Sequence, residues 1–327
     1  MSESRLRPFR FSVQAFEAAS GGEWKELARR AEDLGYSTLF TTDHYFGPGE
    51  ISDSSGHRPV DVAPVAASMA AAAATTHLRV GCRVFCVDYH HPVVLAKELA
   101  TLDMLSDGRL EVGLGAGWIS SEYQGLGIPM DRPAVRIERL AEVARLLKAH
   151  WSGEQLEVDG RYVHAHGFAG RPLPVQRPHP PILIGGGAPK VLRSAGSVAD
   201  IVSINFNNAA GKLGSASVAS STLDATEEKI GWIREGAGAR FGDIELEIAA
   251  YFVAVRDDAQ DAAAAMAKRF GVSPEQLAEH PHALIGSLDE VCEKLQKRRD
   301  QLGVSYINVA QRNMDEFAPV VARLTGT

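Results

Sequence analysis

Short apolar runs alternate with amphipathic helical runs along almost the whole chain, and this rhythm restricts the fold more than any single motif. "FRFSVQAF" (9–16) reads as a strand, and "EWKELARRAEDLG" (23–35) as a helix that closes on Gly35, a suitable C′ residue. Further strands are expected at 36–43, 78–85, 108–115, 180–186, 199–206, 244–255 and 304–310. Most are followed by a helix. Pro92 sits at a plausible N1 position, and Ser287-x-x-Glu290 reads as a capping box. Such alternation builds a parallel sheet. Eight units favour a closed (β/α)₈ TIM barrel over an open doubly wound sheet. The reading is one barrel domain, 1–327, with insertions at about 115–133 and 152–179. The second insertion holds "LEVDGRYVHAHGF", a hairpin-like "VDGR" turn between short strands. Segments of this length inside a compact domain usually carry function.

Composition narrows the function classes. The net charge is −7 and charges of both signs are interspersed, which argues against nucleic-acid or anionic-membrane binding as the main activity. Three cysteines, Cys82, Cys86 and Cys292, make no disulfide framework. The start "MSESRLRPFRF" lacks the apolar segment of a signal peptide, and no window is long and apolar enough to span a membrane. A cytoplasmic protein is the expectation.

In a parallel barrel, chemistry lies at the C-terminal ends of the strands. The second strand runs into Asp43–His44–Tyr45–Phe46, and the third into "CRVFCVDYHHP" (82–92). The fourth runs into "GLGAGW" (113–118), the fifth into "GGGAPK" (185–190) and the sixth into "SINFNN" (203–208). "GGGAPK" sits between a strand and a helix, where bare backbone and a helix N-terminus can seat a phosphate. A tight turn that needs glycine only for packing has the same look. "GLGAGW" is no dinucleotide fingerprint, because Trp118 occupies the third glycine position. A flat ligand against this backbone is the better reading. Cys82 and Cys86, four apart on a strand, share a face and suit packing. His90–His91 and His164/His166 show no third and fourth partner at useful spacing, so no metal site is expected.

Taken together, "LFTTDH", "HPVVLAKELATLDMLSDGRLEVGLGAGW" (91–118), "DRPAVRIERLAEVARLLKAHW" (131–151), "PPILIGGGAPK" (180–190) and "GSLDEVCEKLQKRRDQLGVSYINV" resemble the luciferase-like monooxygenase superfamily, in its branch using the deazaflavin coenzyme F420. The resemblance covers nearly the whole chain. It implies a barrel with a flavin-like ring in its mouth. Asp43 would meet the ring's polar edge, and His44 would face the reacting centre. A bulge with a non-proline cis peptide is implied near Arg83–Val84, with Cys86 close to the ring edge. Gly115, Ala116, Gly117 and Ser121 would border the ribityl chain, and Gly185, Gly186, Gly187 and Ala188 would receive the phosphate. Lys190, Arg193 and Lys212 are the nearest candidates to meet an anionic cofactor tail, and surface solvation explains them equally well. Sugar-phosphate dehydrogenases of this branch carry a glutamate directly after the second glycine loop. Trp118 stands there instead, which favours a less polar substrate held near Tyr45, Phe46 and Trp118.

The expected activity is hydride transfer between F420 and a small organic substrate, with His44 moving the accompanying proton. An FMN-dependent monooxygenase and a non-catalytic flavin-binding or assembly barrel are the alternatives. Superfamily members are often dimers, and the alanine-rich helix at 61–74 offers a smooth face for a homodimer, although a buried helix has the same composition.

Overall fold

A computed structural model describes residues 6–208 and 215–327. Lys212 lies outside the described residues. The strands are β1 (Arg10–Gln14), β2 (Thr38–Thr41), β3 (Arg79–Cys86), β4 (Leu110–Gly115), β5 (Gln155–Asp159), β6 (His164–Ala169), β7 (Ile182–Gly186), β8 (Ile201–Ile204), β9 (Glu245–Ala250), β10 (Phe252–Val255), β11 (Ala283–Gly286) and β12 (Val304–Ala310). Eight of them close a parallel barrel in the order β1-β12-β9-β8-β7-β4-β3-β2. The (β/α)₈ expectation is met.

One feature departs from the sequence reading. The run 244–255 is two strands, broken at Tyr251. β9 stays in the barrel, while β10 leaves it to pair in parallel with β11. Parallel strands are apolar on both faces, so the pattern carries no mark of the break. The "VDGR" hairpin forms as expected, with β5 and β6 antiparallel.

The helices bury their apolar stripes on the barrel's outer wall. Pro92 occupies the first turn of helix Pro92–Leu105, and the capping box at Ser287 is complete on both sides. The alanine-rich helix Pro64–Ala74 buries Ala67, Ser68, Ala71 and Ala72 against helix Gly21–Asp33 and β3. Its close-packing face is therefore used within the chain.

The inside of the barrel is layered. Toward one end, Arg10 pairs with Glu111 (2.5 Å) and Glu245 (2.6 Å) and lies over the Tyr306 ring. Phe40, Val84, Leu183, Ile201 and Tyr306 form an apolar cluster. Arg83 reaches from β3 to Glu247 on β9 (3.1 Å), Ser203 on β8 (2.7 Å) and Gln14 on β1 (3.2 Å). Burial disfavours the Arg83 charge, but Glu247 outweighs this and raises its pKa.

The Arg83–Val84 peptide is cis, and the β3–β4 register shifts between Cys82 and Phe85. Consecutive residues Arg83 and Val84 thereby both face the interior. The simple alternation that would put Cys82 and Cys86 on one face is interrupted.

Removing one partner of a buried ion pair strands the other charge, at a cost of about 3–5 kcal/mol. Glu247→Leu is expected to lower unfolding free energy by about that much in denaturant titration. Arg193→Ala, which breaks an exposed pair with Glu235, is expected to cost less than about 1 kcal/mol.

Candidate active site

The loop after β2 carries two acidic–imidazole contacts in adjacent residues. Asp43 is buried, and its Oδ2 accepts from the Cys86 backbone N–H (2.9 Å) and from His90 Nε2 (2.8 Å). Asp43 Oδ1 is buried with no hydrogen-bond partner, as is Thr42 Oγ1. Burial and the neighbouring Asp43 raise the Tyr45 phenol above its ordinary pKa.

His44 is oriented by Glu122, in the short helix Ser120–Gly125 after β4. Glu122 is almost fully buried. It accepts from the Tyr45 backbone N–H (2.8 Å), the Tyr89 hydroxyl (3.1 Å) and His44 Nδ1 (2.7 Å). With the proton drawn to Nδ1, the basic nitrogen of His44 is Nε2. A carboxylate thus reaches the imidazole although Trp118 replaces the glutamate expected after the glycine loop.

A second imidazole packs beside the first. The His57 ring lies 4.2 Å from that of His44, and Trp118 meets both edge-on at 6.5 and 6.1 Å. Phe46 closes the group at 5.5 Å from His44. His57 Nδ1 donates to the Arg58 carbonyl (2.8 Å), which leaves its Nε2 as an acceptor. Burial and the adjacent His44 push the His57 pKa down to about 3. Tyr45 does not join this wall; its ring packs against Tyr89 at 5.9 Å.

The 115–117 loop runs directly into Trp118, and the bare positions of both glycine loops are filled by the protein itself. A methyl group on Gly115 would lie 2.5 Å from Val84 Cγ2, and one on Gly117 (φ +71°) would lie 2.0 Å from the Tyr123 hydroxyl. On Gly186 it would meet Val191 at 2.5 Å, and on Gly187 the Phe206 carbonyl at 2.1 Å. Gly185 faces Asn205 and Val84. Packing therefore accounts for these glycines without a ligand. Arg136 donates to the carbonyls of Ala116 (2.7 Å) and Gly117 and clamps the loop. Helix Pro189–Val198 begins at Ala188 with no side-chain cap, leaving first-turn N–H groups available to an anion.

Several expected roles are altered by these contacts. The Arg83 guanidinium is spent inside the barrel, so only its backbone is left for a ligand. Cys86 Sγ lies 3.3 Å from the Tyr123 hydroxyl, and burial pushes its thiol up to about 12, which removes it as a thiolate. Ser121 reaches Ser54 (3.4 Å). Lys190 and Arg193 pair with Glu138 (2.7 Å) and Glu235 (2.6 Å). Glu122, His57, His90 and Arg136 were not foreseen. Neither was Lys229, on helix Leu223–Ala237. It is buried on the Asn205 carbonyl (2.8 Å) and Ser221, and burial lowers its pKa to about 8. The hairpin register also brings Asp159 close to His164 and His166, a third residue that spacing along the chain did not show.

The family model described as "Luciferase-like monooxygenase" matches residues 8–303. The chain belongs to this family. An F420-dependent glucose-6-phosphate dehydrogenase of Gordonia bronchialis is 29% identical over 203 residues, 61% of this chain and 56% of that protein. An FMNH₂-dependent dimethylsulfone monooxygenase of Pseudomonas putida is 28% identical over 177 residues, 54% of this chain and 45% of that one. These matches span about half the length of the curated relatives. Among solved structures, the monooxygenase RslO1 of Streptomyces bottropensis is 25% identical, with a TM-score of 0.71 over 96% of this chain and 97% of that one. An F420-dependent secondary alcohol dehydrogenase bound to an F420–acetone adduct shares the fold at 17% identity, TM-score 0.76, over 97% and 99% of the two chains. Family members thus include F420- and FMN-dependent oxidoreductases. Among the described residues no helix is long and apolar enough to cross a membrane.

The His57 environment sets a pH dependence. Its folded pKa lies below that of the unfolded chain, so the unfolded state binds the extra proton as pH falls. The stabilisation from neutral His57 is present above about pH 6.5 and is lost progressively toward pH 3. Denaturant titrations across this window are expected to show a shallower loss of stability with acid in His57→Gln than in the parent.

Proposed function

We propose that this protein is an F420-dependent oxidoreductase that moves a hydride between the deazaflavin and a small, fairly apolar organic substrate. The observation that carries this reading is His44, fixed through Nδ1 by buried Glu122 and presenting Nε2 beside the aromatic wall of Phe46 and Trp118. The residues fit the cofactor. Asp43 Oδ1, buried and without a partner, suits an N–H on the polar edge of the ring. The backbone of 115–117 would border the ribityl chain, and Gly185 to Ala188 with the uncapped helix would hold the phosphate. Lys190 and Arg193 are already paired, so main-chain N–H groups carry most of the anion binding.

When bound, the deazaflavin accepts or delivers the hydride. His44 Nε2 takes the hydroxyl proton of a substrate carbinol as its C–H hydride departs, or returns a proton to a carbonyl oxygen in the reverse direction. Glu122 holds the imidazole in the tautomer this requires, as a carboxylate does in other carboxylate–histidine pairs. Trp118 and Phe46 exclude water and favour an apolar substrate body. The neutral His57 ring adds no charge to that wall. The resident assembly is proposed to be a homodimer, which sedimentation equilibrium reads directly.

The second reading is an FMN-dependent monooxygenase. The FMNH₂-dependent Pseudomonas putida relative favours it, and the S. bottropensis structure is likewise that of a monooxygenase. Fluorescence titration of the purified chain with F420 and with FMN separates the two. Tighter F420 binding is expected, and a clear preference for FMN would transfer the assignment to the second reading. With F420 and a turned-over substrate, His44→Ala is expected to lower kcat by about 10²–10⁴-fold while F420 affinity changes by less than about threefold. Unchanged turnover would remove His44 from the mechanism.

A further inference from the structure

We propose that the outer face of the β5–β6 hairpin is a site for one late first-row divalent transition-metal ion, with zinc as the test ion, held by Asp159, His164 and His166 and assisted by Glu157. The site shares no residue with the barrel mouth and does not depend on the reading of the mouth.

The hairpin register assembles the donors. Asp159 pairs across the strands with His164, and Glu157 with His166. Residues two apart on a strand share a face, so two carboxylates and two imidazoles stand on one side. The opposite side buries Leu156 and Ala165. His164 Nδ1 lies 2.8 Å from Asp159 Oδ1, and His166 Nδ1 lies 3.5 Å from Glu157 Oε2. One donor atom each from Asp159, His164 and His166 falls within 4.8 Å of the others. Tetrahedral zinc with bonds of about 2.0–2.2 Å needs donors about 3.3–3.5 Å apart. Side-chain rotation by about 1 Å closes that gap without moving the backbone.

The backbone beneath is held in place. Glu142, on helix Pro133–Ser152, accepts from the turn N–H groups of Arg161 (3.1 Å), Tyr162 (2.8 Å) and Val163 (3.1 Å). The Gly160 N–H bonds to the Val163 carbonyl (2.9 Å). A fixed register lowers the ordering cost of ligation.

Ligand type selects the ion. Two imidazoles with one or two carboxylates suit zinc, nickel or copper, whereas magnesium and calcium prefer all-oxygen shells. All four side chains are exposed, so water completes the coordination sphere. Ordinary surface His–carboxylate pairing is the competing explanation. It predicts contributions near zero and no stoichiometric ion uptake.

The test is isothermal titration of the untagged, chelator-treated full chain with zinc chloride. One zinc ion per chain is expected with micromolar affinity, and no heat from magnesium. The double variant His164→Ala/His166→Ala is expected to weaken zinc binding on the order of 100-fold, and Asp159→Asn about tenfold. His77→Ala, an exposed histidine elsewhere, should leave affinity unchanged. Metal-free melting temperatures of all variants should match the parent, because the substituted groups face solvent. Absence of one-to-one uptake, or unaltered uptake in the double variant, would overturn the proposal.

Discussion

The Arg83–Glu247 pair is the interaction on which the upper barrel depends. One guanidinium joins β3, β9, β8 and β1, because Gln14 also returns a hydrogen bond to the Arg83 carbonyl (2.8 Å). Four strands are thus tied where the β3 register shifts. Directly beyond that shift lies the Cys86 N–H, which holds Asp43. A charge pair in this setting gives little net stability compared with apolar packing, but it tolerates no half-removal. Its value is positional: it sets where the strand ends emerge.

Around the mouth, the polar side chains are held by partners on other elements or, for His57, by the next residue. His90 and Cys86 steady Asp43, Glu122 steadies His44, and the Arg58 carbonyl steadies His57. Tyr123 links this layer to the glycine loop through its contacts with Asp88 (2.8 Å), Cys86 and the Ala116 carbonyl. Such supported side chains lose little freedom on meeting a ligand. Asp43 Oδ1 and Thr42 Oγ1 are exceptions, buried polar atoms with no hydrogen-bond partner.

The barrel was legible because strand–helix alternation is a local pattern repeated eight times, and the residues at the strand ends followed from the geometry of any parallel barrel. Asp43, His44, Phe46, Trp118 and the glycine loops could be read this way. Glu122, His57 and Arg136 could not, since each acts across a gap in the chain that one sequence gives no means of pairing. Glu122 looks like an ordinary first-turn acid of a short helix. Charges inside the barrel, such as Arg10, Glu111 and Glu247, follow from closure, which brings inward-facing polar residues of distant strands together. The hairpin histidines illustrate a different limit. Spacing along the chain does not show that Asp159 stands across the turn from His164.

The glycine positions have a wider consequence. Val84, Tyr123, Val191 and the Phe206 carbonyl already occupy the space that larger side chains would claim. These glycines are thus demanded by packing within this chain, independently of any ligand. A larger side chain at 115, 117, 186 or 187 would displace a neighbour instead of filling open space.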